Sequence, residues 1–189
     1  MPEPNNRFLG KYRGRVADNA DPRRIARIRA EVPDVLGREV STWALPCLPF
    51  TGEGFGHFNL PAVGAGVWVE FEQGDPSHPI WSGTWYGETA ELPPDARTSQ
   101  EAEPPSQPVV IQTRAGNRLV LTDTTGGGIL LQSSTGAFVR IDGDGVHLED
   151  GSGGTISLAN GVTRINGQIS VDREGVHING KNFPIGGQG

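Results

Sequence analysis

Four histidines, a lone cysteine and one turn that brings an aspartate, a serine and a histidine together are the first places to look for chemistry in this 189-residue chain. The turn is Asp75-Pro76-Ser77-His78-Pro79. It holds the residue types of a nucleophile, a base and an orienting acid, but neighbours within one turn seldom line up hydroxyl, imidazole and carboxylate in that order. His147 and His177 alternate with Val146/Leu148 and Val176/Ile178, so they point away from the apolar positions and toward solvent. A metal site would need three or four converging donors, which this alternation does not supply. His57 lies in GEGFGHFN, a loop or interface setting. Cys47 has no second cysteine to pair with and no companions for a thiolate cluster. The glycine runs Gly126–Gly128 and Gly151–Gly154 lack the Lys-Ser/Thr and the strand-to-helix step of a phosphate loop, and read as turns. No catalytic residue, metal ligand or cofactor is expected.

Without chemistry of their own, the residues must serve a scaffold. Glycine (28) and proline (15) are abundant, favouring many short strands joined by turns over long helices. Only Ser41–Leu45 has helical appeal, and Pro46 ends it. The net charge of −6 argues against nucleic acid as the main partner. The charge is divided unevenly. Residues 1–29 hold eight of the 16 basic residues against three acids, so the remaining eight bases and 19 acids leave a net of −11. The basic half reads either as a solvated strand face or as an electrostatic dock for an acidic surface. The chain opens without the apolar run of a signal peptide, and no stretch reaches the length of a membrane helix, so cytoplasmic synthesis is expected.

The clearest element is Leu60–Gly87. Val67, Val69 and Phe71 alternate with Trp68, Glu70 and Glu72, as on a half-buried strand. Gly74-Asp75-Pro76 breaks it, and Pro79 opens a second run, Ile80–Tyr86. Upstream, Tyr12–Ala17 and Arg27–Val32 alternate likewise, separated by the turn Asp18–Pro22. Residues 33–59 read as a long irregular loop in which Trp43, Phe50, Phe55 and Phe58 pack over a barrel mouth or meet a partner. About five strands in about 80 residues is the size of an OB barrel. The expected organisation is all-β: a loose arm over 1–9, an OB fold over 10–87, a semi-extended Pro/acid-rich linker over 88–108, and a repetitive β segment over 109–189.

In that last segment apolar residues recur in i, i+2 pairs: Leu119/Leu121, Ile129/Leu131, Val139/Ile141, Val146/Leu148, Ile156/Leu158, Ile169/Val171 and Val176/Ile178. VRIDGDGVHL at 139–148 returns as ISVDREGVHI at 169–178. This is the pattern of a β-solenoid. Fewer than three 30-residue repeats cannot close alone, so the expected form is a triple-stranded, intertwined trimeric β-helix in which each strand's neighbours come from the other copies.

VWVEFEQGDPSHPIWSGTWYG (Val67–Gly87), preceded by GRVADNADPRRIARIRAEVP (Gly14–Pro33), resembles the OB domain of central spike proteins of contractile injection systems: phage baseplate spikes, VgrG proteins of type VI secretion, and their relatives in extracellular particles. The matching positions are Val67, Val69, Phe71, Glu72, Gly74, Asp75, Pro76, Pro79, Ile80, Gly83, Trp85, Tyr86 and Gly87. The resemblance implies a non-enzymatic homotrimer, assembled at the centre of a baseplate, whose needle pierces a target envelope. The short stretch before the OB segment implies a separate hub protein, and the 88–108 segment leaves no room for the lysozyme domain of some relatives. The tail GVHINGKNFPIGGQG lacks the H-x-H iron motif of some short spikes, so a PAAR-type tip protein is the expected cap. Hub docking is expected on the arginine-rich strands (Arg13, Arg15, Arg27, Arg29), with Trp68, Trp81 and Trp85 at subunit or hub contacts. Two other functions compete. An OB barrel could stack single-stranded nucleic acid on its aromatics, and an envelope-degrading enzyme would need an acid pair that the sequence does not display.

Overall fold

A computed structural model describes residues 7–101 and 106–184. Residues 1–6 of the expected arm, 102–105 of the Pro/acid segment and 185–189 of the tail lie outside the described residues. The chain forms two compact units, Met1–Thr89 and Ala90–Gly189.

In the first unit, strands β1 (Tyr12–Asp18), β2 (Arg29–Glu31), β3 (Leu45–Pro46), β6 (Gly66–Phe71) and β7 (Pro79–Trp85) form one sheet in the order β2-β1-β6-β7-β3. It is an OB-like half-barrel, antiparallel except where β3 joins β7. The alternation of β6 does what its sequence dictates. Val67, Val69 and Phe71 enter a core with Val16, Ile28, Ala30, Val32, Ala44 and Trp81, while Trp68 and Glu70 face outward. A bulge sets Ser82 and Gly83 against Trp68 alone, with Gly83 at φ 122°, and so re-aims the end of β7.

Several local expectations change. The helical turn α1 forms at Pro33–Leu36, where Pro33 starts it. Ser41–Leu45 is extended, because Ala44 exchanges backbone hydrogen bonds with Ile28 and the Ser41 hydroxyl takes the Ala30 N–H at 2.9 Å. Within the arm, Phe8 is docked: its N–H donates to the Gly74 carbonyl at 3.0 Å and its ring meets Tyr12 and Phe71. The long loop contains a small hairpin, β4 (Thr51–Gly52) and β5 (Phe55–Gly56).

The second unit begins in the Pro/acid segment, which is not simply extended. Pro94–Glu101 is an eight-residue helix, α2, tied to the strands beyond it by the Asp95–Arg118 ion pair at 2.7 Å. Ten strands follow: β8 (Val109–Gln112), β9 (Arg118–Leu121), β10 (Gly128–Gln132), β11 (Phe138–Asp142), β12 (Gly145–Glu149), β13 (Thr155–Ala159), β14 (Val162–Ile165), β15 (Ile169–Val171), β16 (Gly175–Ile178) and β17 (Lys181–Pro184). Each pairs antiparallel with its neighbours in sequence, giving an unbroken meander. This corrects the expectation that ladder partners come from other copies. Tight turns decide the pairing: at Asn160-Gly161 and Asn179-Gly180 all four residues have positive φ, the conformation of a two-residue hairpin loop.

Candidate interaction surfaces

Directly paired residues of an antiparallel ladder share a face, so the register of the ten strands fixes what each face presents. One face carries two columns. The first runs Val109, Leu121, Ile129, Ile141, Val146, Leu158, Thr163, Val171, Val176, Phe183; the second Ile111, Leu119, Leu131, Val139, Leu148, Ile156, Ile165, Ile169, Ile178, Lys181. All fourteen residues of the i, i+2 pairs lie here. Ile165, Phe183, Val109 and Ile111 extend the face beyond what the pairs indicate, and Thr163 and Lys181 are its two non-apolar positions. Within the single chain it is open, with Leu131 58% and Ile129 42% exposed.

The opposite face changes character along the sheet. Over β8–β10 its central positions are Val110, Val120 and Leu130, and Val120 is buried. Helix α2 lies against β8, and Arg118 joins it to β10 through two bonds to the Gln132 Oε1, at 3.0 and 2.6 Å. From β11 onward the row is polar: Arg140, His147, Ser157, Arg164, Ser170, His177 and Asn182. Both histidines lie near turn aspartates on this side. His177 Nε2 is 3.2 Å from Asp172, and His147 Nε2 is 3.8 Å from Asp142, which also binds Arg140 at 2.7 Å. The Glu174 N–H, foremost, and the His177 imidazole hold the Asp172 carboxyl below its ordinary range. The His177–Asp172 contact staples its turn to the strand, whereas His147 Nε2 is buried without a hydrogen-bond partner among the described residues.

In the first unit, Arg13 and Trp68 are directly paired across β1 and β6. The Arg13 guanidinium lies 5.8 Å from the Trp68 ring centre and 5.5 Å from that of Trp85, and Arg15 lies 5.6 Å from Trp85. Trp85 is placed by its indole N–H, which donates to the Val67 carbonyl at 3.1 Å, and by Gly66, where a Cβ would meet the ring at 2.7 Å. Arg13, Arg15 and Trp85 also line a recess of about 260 Å³ with Glu31 and Asp34. The two other candidate docking arginines are placed differently. Arg27 pairs with the buried Asp21 and stacks on Trp43 at 5.5 Å, while Arg29 Nε donates to the Ser41 carbonyl at 3.0 Å. Trp81 is a core residue, its indole N–H given to the Ala26 carbonyl at 2.9 Å.

The signature hairpin is held by ordinary turn chemistry. Asp75 accepts the Ser77 N–H at 2.9 Å and meets His78 Nδ1 at 3.1 Å, so the three residues that suggested a nucleophilic site close a turn. Gly74, at φ 81°, leaves no room for a Cβ beside Arg7 and Phe8. Val67, Val69, Phe71 and Pro79 are buried, Gly83 sits in the bulge, and Tyr86 is exposed.

Comparison with known families matches residues 12–86 to the type VI secretion system/phage-baseplate injector OB domain, and residues 108–183 to the phage baseplate V C-terminal trimerisation domain. No curated protein matches the chain. The second match supports a homotrimer, and both families are structural components of the baseplate. Among the described residues no helix is long and apolar enough to cross a membrane. The chain belongs to the family of baseplate spike proteins shared by phage tails and type VI secretion systems, built from that family's OB domain followed by its trimerisation domain.

Proposed function

We propose that this chain is the non-enzymatic central spike of a contractile injection machine. Three copies pack their two-column apolar faces around a common axis to form the needle, three meanders around one core. The open apolar face carries this reading. A surface of ten strands with two apolar columns is far larger than a soluble monomer ordinarily exposes, and burying the exposed half of each side chain contributes on the order of 1 kcal/mol apiece. At about 4.8 Å per strand the sheet extends roughly 43 Å, long enough to act as a piercing element. The OB end docks on a separate hub protein. Arg13 and Arg15 present their guanidiniums for it on Trp68 and Trp85, Arg15 also giving one N–H to the Gly64 carbonyl at 3.1 Å. The C-terminal end carries a PAAR-type tip protein, and the target envelope is met when the sheath contracts.

Particles assembled with a Leu148→Asp chain test the reading. Electron micrographs are expected to show baseplates without central spike density and with lost injection. Normal spike density and full injection would contradict it. A nucleic-acid role finds little support in the Arg–Trp stack, because the guanidiniums occupy the ring faces on which bases would stack.

A further inference from the structure

The loop from β1 to β2 holds two non-glycine residues, Arg24 (φ 56°) and Ala26 (φ 62°), in the left-handed conformation that L-residues avoid. One carboxylate fixes them. Asp21 accepts the N–H groups of Arg23 and Ile25 at 2.9 Å and of Arg27 at 3.2 Å, together with two guanidinium N–H bonds from Arg27 at 3.0 and 2.6 Å. Trp81 adds an anchor from the core through the Ala26 carbonyl. The loop therefore turns Arg23, Arg24 and Ile25 outward on a rigid base, with Ile25 47% exposed. Neither the Arg23 nor the Arg24 guanidinium has an ion-pair partner among the described residues.

Facing this loop is the segment that holds Phe58, 68% exposed, and Leu60. Asn19 ties the two together by donating its Nδ2–H to the Pro61 carbonyl at 2.9 Å. Between them lies a groove of about 530 Å³, lined by Pro22, Arg24, Phe58 and Leu60 among others. Among the described residues its only acid is Asp21, whose carboxylate already accepts five N–H bonds, so beside Asn19 the groove offers the apolar Pro22, Phe58 and Leu60 and the Arg24 guanidinium, which has no ion-pair partner there.

We infer that this groove docks a short acidic and apolar segment of a partner polypeptide, a carboxylate bonding to Arg24 while a flanking apolar side chain packs on Phe58 and Leu60. Charge complementarity selects the carboxylate. The apolar walls and the chain's net charge of −6 favour a peptide over a nucleic-acid phosphate. The strain favours a binding role, since the fold would be served as well by glycine at position 24. The surface shares no residue with the Arg13–Trp85 stack and acts whether or not the chain is trimeric, so it stands or falls separately from the spike reading.

Fluorescence anisotropy of full-length protein with a labelled Leu-Asp-Phe-Glu-Leu peptide and its amide counterpart Leu-Asn-Phe-Gln-Leu tests the inference. The acidic peptide is expected to bind about tenfold more tightly at low salt, the effect of one charge-assisted hydrogen bond, with the difference shrinking as salt rises. Arg24→Gln erases the difference, and Phe58→Ser weakens both peptides. Arg24→Gly also erases it while melting no lower than the wild type, separating binding from folding. Equal affinity for the two peptides, indifference to Arg24→Gln, or binding of a labelled oligo-dT in the peptide's place would overturn the inference.

Discussion

Asp21 gathers five N–H donors, and its titration follows from them. The Arg27 guanidinium, foremost, and the three backbone N–H groups hold its carboxyl far below the ordinary carboxylate range. A carboxyl whose value is lower in the folded chain contributes stability at every pH above its unfolded value, near 4, and loses that contribution only as the pH falls further. Melting curves are therefore expected to be insensitive to this group from pH 8 to 5 and to drop below pH 4. Asp21→Asn should melt lower at neutral pH with a shallower acid slope; an unchanged melting temperature at pH 7 would refute this account of the loop. Trp85, by contrast, lies at the end of β7 and is only partly buried. Trp85→Ala should cost the barrel only about 1–2 kcal/mol yet weaken hub capture tenfold or more, because Arg13 and Arg15 lose their common support. Normal hub binding in a pull-down with the cognate hub would remove Trp85 from the interface. The sequence shows Arg13, Arg15, Arg27 and Arg29 at similar alternating positions. What separates Arg27 from Arg13 is a loop conformation with two left-handed residues, and alternation carries no signal of it.

At the scale of the strand, the apolar columns make opposite demands on adjacent residues. Leu148→Asp should abolish trimer formation, because a carboxylate would be placed on a face to be buried, whereas His147→Ala, one residue away, should leave the oligomer intact. Size-exclusion chromatography with light scattering distinguishes the two, and a trimeric Leu148→Asp variant would show that the face is not the interface. Gly145 is a sharper test of the ladder. At φ 138° its Cβ would run into the carbonyl of Leu158, so Gly145→Ala is expected to cost about 2–4 kcal/mol in chemical denaturation. Period-2 apolar pairs made most of the face legible beforehand. Ile165 stands out less because its i−2 neighbour on the same strand face is Thr163, and Val109 and Ile111 because they follow the Pro/acid segment directly. Pairing partners are legible too where Asn160-Gly161 joins β13 to β14 and Asn179-Gly180 joins β16 to β17, since two-residue hairpin turns oblige the strands they connect to pair within one chain. The 30-residue repeat is a longer-range pattern than these turns and does not carry that local signal. Helix α2 was hidden by its composition: five prolines between positions 93 and 108 suggest an extended chain, and only the apolar outer positions Val110, Val120 and Leu130 give the first strands a reason to be covered.

For the whole molecule, the OB family was readable because its hairpin combines alternation, a proline-bracketed turn and a tryptophan in a single stretch, each fixed by local backbone chemistry. Oligomeric state is different in kind. No residue names it, and it emerges when ten strands leave the same face apolar with nothing among the described residues of the second unit to cover it. A spike also has to survive axial load, which a threefold core sealed on all sides can distribute over its ladders, whereas an open sheet cannot. Mass in solution therefore decides whether three chains share that core. Light scattering of the full-length protein at micromolar concentration should give three times the chain mass of 20.1 kDa, falling to one chain only as the strands unfold. A 20.1 kDa species whose residues 109–184 remain ordered and protected from hydrogen exchange would contradict it.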